Sequence, residues 1–193
     1  MTLEIRAAAP ADALQIARVH KRSREAYYGD ALDPVDAARD RYPMWLDTLT
    51  RADTWCAVAV LHEDLVGFIA GHLPERDDLP AELSSLYVDP DRFGSGVGSA
   101  LYQRFVDVVS SGTAELEVWD GNDRAKRFYE HRGWQPTEQI RAGVTGKPFV
   151  TWTLDLRPCE PDVRSRSSTG CRQRAYRKKL HERRGASSPP AKN

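Results

Sequence analysis

Cysteine and methionine are scarce in this chain, with three Cys and two Met in 193 residues. The three cysteines, Cys56, Cys159 and Cys171, are odd in number, lack C-x-x-C spacing and have no neighbouring His pair. That pattern argues against a disulfide framework and against a zinc site, so no metal is expected. Cys56, inside TWCAVAVL, reads instead as a buried strand residue. No run of about 18 apolar residues exists that could cross a bilayer, so no membrane partner is expected. The start, MTLEIRAAAP, has no basic stretch followed by an apolar one, so no secretory leader is expected and the expected compartment is cytoplasmic. No internal repeat is visible.

Net charge is also absent, because 28 Lys plus Arg balance 28 Asp plus Glu. The balance conceals an asymmetry. Residues 157–193 hold 11 basic against 3 acidic side chains, whereas residues 1–156 hold 17 against 25. An acidic body would favour a cationic substrate such as an amine by long-range attraction. The tail has few large apolar residues and much Arg and Ser, too little to offset its chain entropy, so it reads as a disordered appendage. Its segment RQRAYRKKLHERR either has no partner or makes weak, nonspecific contact with anions or nucleic acid, of a kind that fades steeply as salt rises. One domain over 1–156 and a basic tail over 157–193 is the expected organisation.

What is present is an alternation of strand and helix patterns. LEIRA (3–7) alternates like a strand, and Pro10 and Asp12 sit where a first helical turn prefers them. Leu14, Ala17, Val19, His20, Ser23, Ala26 and Tyr27 then recur at helical spacing until Gly29. Asp33 and Pro34 open a second helical stretch to about Arg51, in which Pro43 predicts a kink or two shorter pieces. TWCAVAVL (54–61) and LVGFIAGHL (65–73) read as a hairpin around His62, Glu63 and Asp64. ELSSLYV (82–88) leads through a glycine cluster into a helix from about Gly98 to Ser110. AELEVW (114–119), a helix over Asn122 to Arg132 and terminal strands within IRAGVTGKPFVTWTLDL complete the domain. The expected class is α/β, with one strand-helix-strand crossover and antiparallel flanks.

Gly94, Gly96 and Gly98 lie between a strand and a helix, where missing Cβ atoms let backbone N–H groups approach an anion. Taken alone, such a loop either cradles a phosphate or merely caps a helix. No Gly-Lys-Ser/Thr follows, and Ser99 stands where a dinucleotide fingerprint needs its last glycine. Neither of those phosphate motifs fits.

A third pattern does. Tyr-Val-Asp-Pro-Asp-Arg-Phe-Gly-Ser-Gly-Val-Gly (87–98) resembles the acetyl-CoA loop of the GNAT superfamily, Q/R-x-x-G-x-G/A after a strand ending near V-x-P. Asn122-Asp-Arg-Ala125-Lys-Arg-Phe128-Tyr129-Glu-His-Arg-Gly133-Trp134 resembles that family's second signature, N-x-x-A-x-x-F-Y-x-x-x-G-F/W. One departure is Phe93, which occupies the usual Gln/Arg position with Arg92 beside it. The resemblance covers about residues 1–156.

It implies a mixed central sheet with about four flanking helices, in which parallel strands four and five, here ELSSLYV and AELEVW, splay to admit the cofactor's pantetheine arm. Backbone of Leu86, Tyr87 and Val88 would pair with the pantetheine amides. The loop Phe93, Gly94, Ser95, Gly96, Val97, Gly98 and Ser99 would take the pyrophosphate, while Asn122, with Ala125 and Phe128 of the second signature, would hold the cofactor from the far side. The implied reaction is transfer of acetyl from acetyl-CoA, as co-substrate, to a primary amine by direct attack through a tetrahedral intermediate. Tyr129 stands where the family's tyrosine protonates the departing sulfur, its alternative role being to pack under the cofactor.

An alkylammonium with a pKa of about 10 must lose a proton before it attacks, which calls for a carboxylate. Glu82 is the first candidate, against an ordinary exposed strand-end carboxylate, with Glu117 and Asp120 behind it. A backbone N–H of Tyr87 or Val88 would meet the developing oxyanion. Tyr27 and Tyr28 would wall an amine pocket by cation-π contact, with Asp30 or Asp33 as counter-charge, or else form a half-buried helix end. His72 would either face the cleft or be structural. A segment from Asp30 to Arg51 carrying Tyr42 and Trp45 would cover the cleft, which favours a small-molecule amine over a protein N-terminus or lysine. A non-catalytic acyl-CoA sensor is the reading from another class. Monomer and homodimer both remain open.

Overall fold

The computed structural model describes residues 2–74, 76, 79–109, 112–143 and 145–156. The tail, with Cys159 and Cys171, lies outside the described residues, as does the boundary expected after Leu156.

The chain contributes seven strands to one sheet: β1 (Glu4–Ala7), β2 (Thr54–Leu61), β3 (Asp64–His72), β4 (Ala81–Val88), β5 (Thr113–Trp119), β6 (Gln135–Arg141) and β7 (Phe149–Asp155). Their order is β1-β2-β3-β4-β5-β7-β6, and β4 with β5 is the parallel pair between antiparallel flanks. Five helices accompany them among the described residues: α1 (Ala13–Tyr28), α2 (Pro34–Ala38), α3 (Tyr42–Thr50), α4 (Val97–Val109) and α5 (Asp123–Glu130). α4 makes the expected crossover from β4 to β5.

Local chemistry accounts for several boundaries. Asp33 accepts from the N–H groups of Val35 and Asp36 and so caps α2. The second helical stretch is two pieces, with Pro43 in the first turn of α3, where its missing N–H leaves no bond unmade. The β2–β3 hairpin turns on His62 and Glu63, both left-handed at φ 52° and 70°, which matches the right-handed twist of the flanking strands.

Strand alternation divides the core into two faces. On one, Ala57, Ala59, Ile69, Leu83 and Leu116 pack with Leu101, Tyr102 and Phe105 of α4 and with Tyr129 and Trp134. On the other, Val58, Phe68 and Ala70 pack under Ile16 and Val19 of α1 and Trp45 of α3. The inward stripe of α1 is Ala13, Ile16, Ala17, Val19, His20, Ser23 and Tyr28, while Leu14 is 47% exposed. Helical spacing admits either phase; the sheet's need for Ile16 over Phe68 and Val58 selects this one.

Cys56 is half-buried on β2, and burial pushes its thiol up to about 12. It is a strand residue, as its context predicted.

Candidate active site

β4 carries an extra residue against β3. Ala70 pairs with Ser85 and Gly71 with Leu83, so Ser84 bulges, its Oγ donating to the Ala70 carbonyl at 3.1 Å. Gly71 permits this closeness, since a Cβ there would lie 2.1 Å from the Glu82 carbonyl oxygen. On its other side β4 meets β5 at only two rungs, Ala81–Ala114 and Glu82–Glu115, after which the strands part. A cleft of about 1090 Å³ opens there, lined by β4, β5, the glycine loop and the ends of α1 and α5.

Hydrogen-bond alternation tells which amides face the gap. Asp89 N–H donates to the Val66 carbonyl on β3 at 2.8 Å. Tyr87, two residues back, therefore also directs its N–H to β3, whereas Leu86 and Val88 direct theirs towards β5. Of the two amides expected to meet an oxyanion, Val88 has this orientation. The Tyr87 side chain lies on the α1 face, its ring 4.5 Å from that of His20 and its hydroxyl 3.3 Å from that of Tyr27.

The loop after β4 has the form a diphosphate requires. Asp89 caps the turn by accepting from Asp91 N–H, and Gly94 and Gly96 follow at φ +79° and +90°. No atom lies within 4 Å of where a Cβ would stand on either, both line the cleft, and their N–H groups have no backbone acceptor among the described residues. Arg22 ties this loop to α1 through Asp89 at 2.6 Å and Asp91 at 2.9 Å, and Ser23 Oγ donates to the Val88 carbonyl at 2.6 Å. The loop's fit to an anionic ligand rests on these amides, on the open gap and on Arg92, which lines the cleft and has no ion pair among the described residues.

α5 supplies the far wall. Asn122 Oδ1 accepts from Ala125 N–H at 3.0 Å, so this residue is the helix cap, and Phe128 and Ala125 line the cleft beside it. Ser99 Oγ is held at 2.8 Å by Arg132, whose guanidinium also stacks 3.5 Å over the Phe128 ring. Gly133 at φ +89° ends the helix, and Trp134 N–H returns to the Tyr129 carbonyl, a left-handed C-terminal cap. Trp134 is thereby buried, donating from Nε1 to the Tyr102 hydroxyl at 3.0 Å. The aromatic and glycine positions of the second signature thus serve to aim Tyr129. That residue is 8% exposed, lines the cleft, and its hydroxyl has no hydrogen-bond partner among the described residues. Burial raises its pKa well above the ordinary tyrosine value, with Tyr102 and Tyr87 adding to the shift.

On the α1 face, the rings of Tyr27 and Tyr28 lie 4.2 Å apart and tilted, and Tyr28 packs 4.9 Å from Trp119 of β5. Both phenols are held above their ordinary pKa, chiefly by burial. Glu82, Glu117 and the unanticipated Glu115 line the same part of the cleft. Glu117 is taken by Arg141 at 2.6 Å, whereas Glu82 and Glu115 have no ion pair among the described residues.

Several expected contributors stand elsewhere. Asp33 is spent on its cap, Asp120 pairs with Lys126 at 3.0 Å, and His72 lies beside the Asp53 carbonyl at 3.1 Å; none of these lines the cleft. Asp30 does not line it either. The cation over Tyr28 is the protein's own Arg24, at 4.8 Å from the ring and paired with Asp36. Trp45 does not cover the cleft: it is 3% exposed in the core, where Nε1 donates to His20 Nδ1 at 2.9 Å. Helical spacing alone leaves Trp45 free to be a lid or core, because the sequence does not tell which sheet face α3 packs on.

Residues that sequence reasoning missed are Glu115, Trp119, Arg124 and Arg141, all in the cleft wall. Period-two alternation in AELEVW puts Glu115, Glu117 and Trp119 on one face and could have found three of the wall positions.

The family model described as Acetyltransferase (GNAT) family matches residues 16–134. The chain belongs to the GNAT acetyltransferase family. This GNAT domain is therefore an acyltransferase fold with its two signatures in place. It is 27% identical over 114 residues to the uncharacterized N-acetyltransferase YafP of Escherichia coli, covering 59% of this chain and 67% of that protein. It is 35% identical over 92 residues to a mycothiol acetyltransferase of Beutenbergia cavernae, but covers 44% of this chain and only 31% of that one. Among solved structures, PaiA N-acetyltransferase of Thermoplasma acidophilum in complex with coenzyme A superposes with a TM-score of 0.64 at 20% identity, covering 78% of this chain and 98% of the other. The ribosomal-protein-S18-alanine N-acetyltransferase of E. coli gives 0.66 at 17% identity, over 85% and 100%. These last two likenesses concern the fold.

Proposed function

We propose that the protein moves an acetyl group from acetyl-CoA to the primary amine of a small molecule. The observation that carries this reading is the two-rung seam between β4 and β5 with the open amides of Gly94 and Gly96 at its end. Bound acetyl-CoA supplies the activated acetyl group. The N–H and carbonyl of Leu86 hold its amide arm, the Phe93–Ser99 loop receives the diphosphate, and the wall of Asn122, Ala125 and Phe128 closes the far side. The PaiA neighbour, whose structure contains coenzyme A, supports this use of the cleft.

Glu82 accepts the acceptor's ammonium proton, directly or through water, with Glu115 across the seam adding negative charge that draws the cation in. Val88 N–H donates to the carbonyl oxygen as it gains charge. Tyr129, kept protonated by burial and with its hydroxyl uncommitted, donates to the departing sulfur. A small acceptor suits an end walled by Tyr27, Tyr28, Trp119 and the Glu117–Arg141 pair.

The test is to incubate the full chain with acetyl-CoA and a panel of primary amines and to follow release of the free thiol. Turnover with a small amine and none with N-terminal peptides is expected. Turnover confined to peptides moves the acceptor class to proteins, and tight binding without any thiol release replaces the enzyme with a sensor.

A further inference from the structure

The cofactor loop departs from its family pattern at Phe93, where a Gln or Arg side chain is usual, and so lacks one polar donor. The ring is not idle. It is 38% exposed at the cleft, and the Arg124 guanidinium carbon lies 3.6 Å from its centroid, in direct stacking contact. Arg124 belongs to the first turn of α5, directly after the Asn122 cap, so it reaches the loop from across the gap. Both residues line the cleft.

Three further observations bear on what this stack is for. Arg124, like Arg92 of the loop, has no acidic partner among the described residues, whereas Arg24 and Arg141, which also line the cleft, are neutralised by Asp36 and Glu117. Contact with the ring partly desolvates the guanidinium and lowers its pKa below the ordinary arginine value, yet leaves it charged at neutral pH. A guanidinium laid flat on a ring has its rotamers restricted while the N–H edge stays available to an oxyanion. The body around it is acidic, so a cation without a carboxylate beside the glycine amides is not the residue of an average surface.

We propose that Arg124, held flat by Phe93, is a phosphate-binding residue for the cofactor. It replaces from α5 the donor that the loop has lost at Phe93. This rests on the acetyl-CoA reading above, and the ligand chemistry is a phosphate oxyanion. Coenzyme A offers that chemistry twice, in its diphosphate and in its 3′-phosphate, and the experiment separates the two.

Calorimetry on the full chain measures binding of free coenzyme A and of 3′-dephospho-coenzyme A to the wild type, Arg124→Gln, Arg124→Lys, Phe93→Ala and the double variant Phe93→Ala with Arg124→Gln. Arg124→Gln is expected to weaken coenzyme A about tenfold or more, as removal of a charge-assisted contact does. If the partner is the 3′-phosphate, the dephospho analogue binds wild type and Arg124→Gln alike; if it is the diphosphate, both ligands lose the same factor. Arg124→Lys recovers only part of the loss, because an ammonium does not stack in the same way, and Phe93→Ala weakens binding in the wild type but not in the Arg124→Gln background. Equal affinity of wild type and Arg124→Gln for both ligands overturns the proposal while leaving the acetyl-CoA reading intact. Absence of coenzyme A binding to the wild type overturns both. Arg124 is exposed and makes no core contact, so Arg124→Gln is expected to melt as the wild type does.

Discussion

Glu82 of β4 stands directly across from Glu115 of β5 on the last rung before the two strands separate. Like charges so placed repel, and neither is relieved by a basic side chain among the described residues. A cation introduced at the mouth of the gap would relieve both, which is the electrostatic condition for drawing in an alkylammonium and removing its proton.

Glu82→Gln should therefore lower kcat/KM for the amine about 100-fold or more at pH 7, the usual scale for losing a general base. The deficit should shrink towards pH 10, where an alkylamine sheds its own proton. Glu115→Gln should cost less and act mainly on KM. Should the larger loss fall on Glu115→Gln instead, the proton acceptor is the residue on β5.

Tyr129→Phe should lower kcat while leaving the affinity for coenzyme A and the melting temperature near those of the wild type, because its hydroxyl makes no bond that the fold needs. Since burial lifts its pKa above the ordinary value near 10, the phenol stays protonated through pH 9. The deficit should accordingly be constant from pH 6 to about 9. A loss that varies across that interval would count against a proton donated from this side chain.

Gly71→Ala places a Cβ where only 2.1 Å separates it from the Glu82 carbonyl, so β4 must move away from β3 or the bulge must close. Overpacking of this kind costs about 1–3 kcal/mol, or several degrees of melting temperature in a domain this size. Because the displaced strand carries Glu82 and Val88, amine turnover should fall as well. A variant as stable and active as the parent would show that the bulge does not set the seam.

His20 is buried, and burial together with Arg41 and Arg24 pulls it down to about 3, so in the folded protein it is neutral with Nδ1 accepting from Trp45. The unfolded chain protonates the same ring near 6.5, so between about pH 6.5 and 3 it binds more protons than the folded one. Stability should fall on acidification through that window by about 1.4 kcal/mol per pH unit from this group. His20→Gln should flatten the dependence in denaturant titrations at pH 6, 5 and 4. An unchanged slope would mean that carboxylates dominate the acid response.

Much of this architecture could be read from local pattern. The glycine cluster, the capping Asn122, the Gly133–Trp134 stop and the hairpin at His62–Glu63 are each dictated by residues a few positions apart, and each forms where the pattern puts it. The cleft walls were less legible because they depend on which distant segment arrives. Whether Leu14 or Ile16 points inward depends on Phe68 and Val58, whether Trp45 is a lid or core depends on the face α3 covers, and the Phe93–Arg124 stack joins two elements separated by a whole strand. Asp33 and Asp120 illustrate the same limit, since a carboxylate in sequence does not reveal that an N–H or a lysine has already claimed it.

The two-rung seam also has a mechanical consequence. The sheet is in effect two plates, β1-β2-β3-β4 and β5-β7-β6, hinged at Ala81–Glu82 and strapped together through contacts such as that of Trp134, just before β6, with Tyr102 of α4. A ligand lodged in the opening glues the plates, so amide hydrogen exchange in β5 should slow when coenzyme A is added, while the long β2–β3 ladder, lying wholly within one plate, should exchange at its former rate.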